Sequence, residues 1–193
     1  MLTEADARAS IISHCRALWD RRLVTGTSGN VSLKLSDGDL LVTPAGRSLR
    51  NVRAEELVRI DAKGKSRDRK RTPSTELPLH LAAYKARPET LVVIHTHPTY
   101  CVVWSKFGCI FPRDTVGATE TLGECAWTPY NPPGSQELAD VTAAEFARGA
   151  NTVLMERHGI SCLGKSLDAA FVLSDLAEEA ARIAYFSKLA ALP

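Results

Sequence analysis

Two histidines stand two residues apart in His95-Thr96-His97, and a third, His158, follows far along the chain in Glu156-Arg157-His158-Gly159. In an extended strand, residues i and i+2 face the same side about 6–7 Å apart, so this pair can close on one cation. Zinc takes imidazole nitrogen readily, and a catalytic site needs a third protein ligand plus an open position. His158, between two apolar segments, is the natural third. Ordinary core histidines need neither the alternation nor a third imidazole at a strand junction, so the pattern points to a metal site on His95, His97 and His158. Gly159 is expected to allow the tight turn that presents the His158 ring. Of the other histidines, His14 reads as surface on an amphipathic helix, and His80 as structural.

Three turns rich in hydrogen-bond donors accompany the histidines. Pro73-Ser74-Thr75-Glu76 reads as a helix entry, where free backbone N–H groups and hydroxyls suit a phosphate. Glu76, in the expected first helical turn, complements the helix dipole or caps nearby hydroxyls; beside a metal it becomes a general base or a fourth ligand. Gly26-Thr27-Ser28-Gly29-Asn30 joins a helix to a strand, and Thr43-Pro44-Ala45-Gly46 ends a strand. Neither is a Walker A loop or a dinucleotide fingerprint. Three such turns and one histidine cluster suggest a phosphorylated substrate held beside a metal.

The elements that must position these groups follow from periodicity. Residues 4–22 read as a helix capped by Thr3, with Ile12, Cys15 and Trp19 on its stripe. Alternation over Asn30–Leu35, the turn at Asp37-Gly38 and the run Leu40–Thr43 predict a hairpin. Further strands are expected at Val58–Asp61, Leu91–His95, Thr152–Met155 and Ile160–Leu163. Helices are expected from Pro73-Ser74 to about Arg87, from Pro98 through Trp104, from a Ser135 cap to about Arg148, and from a Ser166 cap to the end, the last burying Phe171, Leu176, Ile183 and Phe186. Residues 107–134 give no clear pattern. The basic run Lys65, Arg67, Arg69, Lys70 and Arg71 reads as a solvated loop. Interspersed strands and helices with hairpin signals give an α/β or α+β chain.

The 193 residues, 45% apolar and 24% charged, suit one domain over 1–193. A net charge of +2 does not call for nucleic acid. No apolar run approaches a membrane span, and the N-terminus lacks the order of a secretory signal, so no membrane partner is expected. Five scattered cysteines without a Cys-x-x-Cys pair argue for reduced thiols and a cytoplasmic location.

Taken in order, Gly26-Thr27-Ser28-Gly29-Asn30-Val31-Ser32, Thr43-Pro44-Ala45-Gly46, Pro73-Ser74-Thr75-Glu76, His95-Thr96-His97 and His158-Gly159 resemble the class II aldolase and adducin-head family, nearest its fuculose-phosphate aldolase branch. Pro129-Tyr130 and Pro133-Gly134-Ser135-Gln136-Glu137-Leu138-Ala139 also look like family sequence. The resemblance implies an α/β fold, a three-layered α/β/α sandwich with a mainly antiparallel central sheet. It implies a homotetramer with active sites at subunit interfaces, one zinc (or another divalent metal) per subunit, and a small phosphorylated sugar as substrate. Carried over, His95, His97 and His158 bind zinc, and Glu76 is the catalytic acid/base and a ligand when substrate is absent. Thr27, Gly29, Asn30, Ala45, Gly46, Ser74 and Thr75 line the phosphate site.

The activity so implied is cleavage of a ketose 1-phosphate to dihydroxyacetone phosphate and an aldehyde. The segment Phe111–Val116 lacks the tyrosine that the fuculose aldolases carry after the first histidine pair, and their C-terminal tail with its tyrosine has no counterpart before Pro193. Tyr130 is the remaining candidate for the aldehyde end. Sugar-phosphate dehydratases of the methylthioribulose type and oxo-tetronate-phosphate decarboxylases share the frame, while pentulose-phosphate epimerases carry Asp where Glu76 stands. A non-catalytic adducin-like module would have lost the three histidines and Glu76, which this chain keeps.

Overall fold

The computed structural model describes residues 3–61, 63–68 and 70–191; Arg69 of the basic run and the ends of the 1–193 span lie outside the described residues. Helix α1, Glu4–Asp20, opens with a capping box in which the Thr3 hydroxyl accepts from the Asp6 N–H and Asp6 answers to the Thr3 backbone. Strands β1 (Asn30–Lys34), β2 (Leu40–Val42) and β3 (Val58–Ile60) follow, then α2 (Leu77–Ala86), β4 (Val92–Thr96) and α3 (Thr99–Ser105). The segment that showed no pattern holds α4 (Val116–Thr121) and β5 (Cys125–Thr128). The chain continues through α5 (Gln136–Ala147), β6 (Thr152–Met155), β7 (Gly159–Gly164) and α6 (Leu167–Ala190), with Ser135 and Ser166 as hydroxyl caps of the two helices.

The seven strands form one sheet in the order β3-β2-β1-β4-β7-β6-β5, and only the β5–β6 pair is parallel. Side-chain alternation splits the core. Val92 and Ile94 face a cluster with Ile11, Cys15 and Leu18 of α1. Val93, between them, faces the opposite cluster with Leu79 and Ala83 of α2 and Leu138 and Phe146 of α5. A third cluster joins Leu154, Ile160 and Cys162 to α3, α4 and α6. Helices therefore cover both faces, and the three-layered, mainly antiparallel expectation holds. Among the described residues no helix is long and apolar enough to cross a membrane.

Three expectations change in detail. Helix α2 starts at Leu77, with Pro78 in its first turn and Glu76 as the N-cap residue, so Pro73–Thr75 lie before the helix. In α6 the buried face is Leu167, Ala170, Leu173, Ser174, Ala177, Ala180, Ala181 and Ala184. Phe186 is 52% exposed, and Phe171, Leu176 and Ile183 are half-buried flanks. Small residues let the helix axis lie close on the sheet and leave no depth for the large ones. His14 is half-buried at the α1–α6 seam, bonded to the Ser10 carbonyl and Asp168, its ring edge on Phe171.

The basic loop is exposed as expected, but two of its arginines are paired, Arg67 with Asp39 and Arg71 with Asp68. Arg59 joins Asp39 from β3. Hydrogen bonds from Arg67 and Arg59 hold the Asp39 carboxyl down at about 2, against an ordinary 3.8. A carboxylate so depressed stabilises the fold fully above its unfolded value, and that contribution is lost as pH falls through the folded one. Asp39→Asn is therefore expected to reduce stability at neutral pH and to flatten the acid limb between about pH 4 and 2, followed by circular dichroism. An acid transition identical to the parent's would show that this pairing adds nothing.

Candidate metal centre and anion pocket

The centre is assembled by register at one end of the central strands. Asn30 of β1 pairs with His95 of β4, His95 with Ser161 of β7, and Thr96 with Ile160. Met155 of β6 pairs with Gly159, so the β6–β7 turn brings His158 to the same end. His97 lies one residue beyond β4, its N–H donating to the Leu23 carbonyl.

The three rings converge. Their centroids are 4.7, 4.8 and 4.9 Å apart pairwise, and one ligand nitrogen from each lies within 4.8 Å of the others. His95 is fully buried, and its Nδ1 lies 2.9 Å from the Ile160 carbonyl. A carbonyl can only accept, so that nitrogen carries the proton and Nε2 presents a lone pair. The lone pair faces His97 Nε2 at 2.8 Å. Burial holds His95 well below the ordinary histidine value, lowers His97, and brings His158 down to about 4. The positive charge each ring would place on its neighbours adds to this for His95 and His158. At neutral pH the cluster is three uncharged imidazoles, the state in which histidine ligates metal.

The buried Nδ1 of His158 and Oε2 of Glu76 have no hydrogen-bond partner, a deficit that a bound ion or substrate would relieve. Glu76 is buried, and burial raises its carboxyl against a smaller opposing pull from the Gly134 backbone amide. The residues thus fit a divalent cation with mainly imidazole donors. The convergent set is His95, His97 and His158; Glu76 lines the same pocket from the α2 N-cap without joining that set.

The turns meet beside the histidines because they pair with each other. The Ala45 N–H donates to the Thr72 carbonyl and the Ser74 N–H to the Thr43 carbonyl, both at 3.0 Å, across a bridge of Pro44 and Pro73. These bonds consume the Ser74 amide that the helix-entry reading left free and the Ala45 amide of the β2 turn. The Glu76 N–H donates to Ser74 Oγ. Gly29 sits at φ +78°, where a Cβ would lie 2.4 Å from Val24 Cγ1. The result is a cavity of about 350 Å³ lined by Thr27, Gly29, Asn30, Ala45, Gly46, Ser74, Thr75, Glu76, His97 and His158, which gathers the whole expected phosphate set. Sequence reasoning gave no role to Ser28, Pro44, Pro133 and Arg157, which also line it.

His80 is structural as expected. Its buried ring bonds the Ser32 hydroxyl and the Asn30 side-chain oxygen. Because that oxygen accepts from His80 Nε2, the Asn30 amide nitrogen is the end left to the pocket. Gly159 serves a purpose other than the expected turn. The left-handed residue is Arg157, at φ +56°, while a Cβ on Gly159 would lie 2.1 Å from the Thr96 carbonyl oxygen. The glycine lets β7 approach the strand that bears the histidine pair. A larger cavity, about 880 Å³, lies between α1 and residues 54–71, but its Arg8, Arg59, Arg67 and Arg71 are already paired with carboxylates.

Residues 9–185 match the family model described as Class II Aldolase and Adducin N-terminal domain. An L-fuculose phosphate aldolase of Methanococcus maripaludis (strain S2) is 34% identical over 175 residues, covering 90% of this chain and 93% of the relative. A 3-oxo-tetronate 4-phosphate decarboxylase of Pectobacterium atrosepticum is 32% identical over 193 aligned positions, covering 95% and 85%. Among solved structures, an L-fuculose 1-phosphate aldolase superposes with a TM-score of 0.88 at 27% identity, covering 97% of this chain and 89% of that one. YgbL from Klebsiella pneumoniae gives 0.88 at 29% identity, covering 96% and 91%.

His97→Ala is expected to bring bound divalent metal, measured by elemental analysis, well below one ion per chain; full occupancy would remove His97 from the ligand set. Gly159→Ala forces β7 off β4 and is expected to cost about 1–3 kcal/mol in denaturant unfolding. An unchanged midpoint would mean that the strands separate without cost.

Proposed function

We propose, from the premise that this chain belongs to the class II aldolase and adducin N-terminal domain family, that it is a metal-dependent lyase breaking a carbon–carbon bond in a phosphorylated sugar. The reading takes the chain as one domain that cleaves a ketose 1-phosphate to dihydroxyacetone phosphate and an aldehyde. The observation that carries it is the shared pocket: His97, His158 and the buried Glu76 line one small cavity together with the three turns, and His95 converges on the two imidazoles.

In this reading His95, His97 and His158 hold one zinc ion, with Glu76 as a further ligand before substrate arrives. When bound, such a cation supplies Lewis-acid stabilisation of the negative charge that grows on substrate oxygen as the bond breaks. The chain's own groups do the rest. Thr27, Ser74, Thr75, the Asn30 amide and the backbone at Gly29 and Gly46 take the phosphate, with Ala45 lining the site. That anchor fixes the reacting carbons beside the histidines, so binding energy is spent on orientation. Burial raises the Glu76 carboxyl above its ordinary value, which favours the protonated form that gives a proton to the carbon left carrying the electron pair and takes it back in the aldol direction, while the hydroxyl proton on the carbon that becomes the aldehyde leaves to solvent.

A second reading is favoured by the relatives named as decarboxylases. Loss of CO₂ from a 3-oxo acid phosphate breaks the corresponding bond and leaves the electron pair on the same carbon next to the ketone. The two readings share the histidines, Glu76 and the phosphate turns, and differ only in the departing fragment.

A homotetramer belongs to the proposal. The exposed Phe107, Val116, Phe186 and Leu189 are apolar surface that such an assembly would cover. The cytoplasmic location rests on five cysteines that are all free thiols.

Incubating the purified chain with phosphorylated ketoses and 3-oxo acids, and following dihydroxyacetone phosphate, aldehyde and CO₂, tests the function. If no substrate yields dihydroxyacetone phosphate, the lyase reading fails. Glu76→Gln is expected to keep the fold and bound metal and to lose about 10²–10⁴ in kcat; undiminished turnover would move the proton to another group.

A further inference from the structure

Strand order lays the pocket out as a line. The turns before β1 and after β2 form one end, the histidines from β4 and the β6–β7 turn the middle, and Arg157 the other end, leaning towards the segment after β5. Neighbouring strands are spaced about 4.8 Å apart, so Asn30 and the β6–β7 turn are separated by roughly 10–14 Å, a span that a short sugar phosphate can bridge.

Arg157 has the marks of a built position. Its backbone is left-handed at φ +56°, a conformation a non-glycine residue rarely adopts. Its N–H donates to the Ser105 hydroxyl at 2.8 Å, which holds that turn. Its guanidinium stacks on the Tyr130 ring at 4.3 Å. Tyr130 is itself fixed, its N–H donating to Glu156 Oε2 at 3.1 Å. The nearest counter-ion, Glu156 Oε1, stands 3.6 Å from Arg157 Nε, and the Arg157 side chain is 54% exposed. Of the residues lining the pocket, Arg157 alone carries a permanent positive charge. The turns offer hydroxyls and amides.

We infer that Arg157 is the specificity-determining residue for the substrate end remote from the phosphate, and that it selects a carboxylate there. The substrate class is then phosphorylated sugar acids, in which the acid group is either retained on the departing aldehyde or is itself the fragment lost. The planar guanidinium is the donor set for a carboxylate's two oxygens, and stacking on Tyr130 holds its plane before the ligand arrives. The inference rests on the reading of the turns as the phosphate site.

The test is a matched pair of non-reacting ligands, erythronate 4-phosphate and erythritol 4-phosphate, which differ by the terminal carboxylate. Both, and inorganic phosphate, are titrated calorimetrically into the full chain as purified. Erythronate 4-phosphate is expected to bind about 10- to 100-fold more tightly than erythritol 4-phosphate, the range of a charge-assisted hydrogen-bonded pair. Arg157→Gln should bring the ratio to about 1, and Arg157→Lys, which keeps the charge without the fork, should retain part of it. Inorganic phosphate titrated into Arg157→Gln checks that the turns are formed. A ratio near 1 in the parent, or one that survives in Arg157→Gln, overturns the assignment. Weakening of inorganic phosphate as severe as that of erythronate 4-phosphate places Arg157 at the phosphate end and also overturns it. Failure of all three ligands to bind the parent removes the phosphate reading itself, an outcome separate from the others.

Discussion

One buried hydrogen bond orders the centre: His95 Nδ1–H to the Ile160 carbonyl, 2.9 Å long and shut away from water. It joins β4 to β7, so it exists only once the strands are in register. It fixes the tautomer of the ring and turns the Nε2 lone pair towards His97. Breaking it in the interior would leave a donor and an acceptor unsatisfied, a cost of about 1–3 kcal/mol for each group. The same strand contact requires Gly159, because any larger residue there meets the Thr96 carbonyl. Ligand geometry and sheet closure are therefore one event.

The electrostatics share a direction. Burial drives the histidines towards their neutral form and Glu76 towards its protonated form. Burial discourages charge on the histidines and on Glu76, so the imidazoles are ready for a cation without prior deprotonation. The cost appears in the orphaned buried atoms of Glu76 and His158, which is the usual way a functional site departs from the rest of a well-satisfied interior.

The outer parts of the structure serve that end of the sheet. The close-packed alanine face of α6 sets its distance from the sheet, and the α3 N-terminus, just after His97, is tied to α6 by Glu178, which accepts from the Tyr100 and Cys101 amides. The bridge between Pro44 and Pro73 does for the two turns it joins what the His95 bond does for the histidine cluster. Segments about 30 residues apart become one surface because each satisfies the other's backbone. The pairing explains why α2 begins only at Leu77: the residues before it are engaged with the β2 turn and are unavailable to the helix.

The amino-acid sequence by itself determined the histidine set, the three small-residue turns, Glu76, the capped helices and the alternating strands. Each of these is a local pattern of residue type and spacing, and local periodicity is what a chain displays without its fold. It could not determine what depends on approach between distant segments. The α6 face was misread because a helical stripe of large apolar residues looks buried until the closeness of the sheet is known. Gly159 was assigned to a turn because a contact with Thr96, far away in sequence, is invisible along the chain. Arg157 has no role that its neighbours in sequence suggest; strand order puts it in the same pocket as the three turns, over the Tyr130 ring. Tertiary structure decided these points because they are set by register and interelement distance, which side-chain chemistry constrains only after the chain has folded.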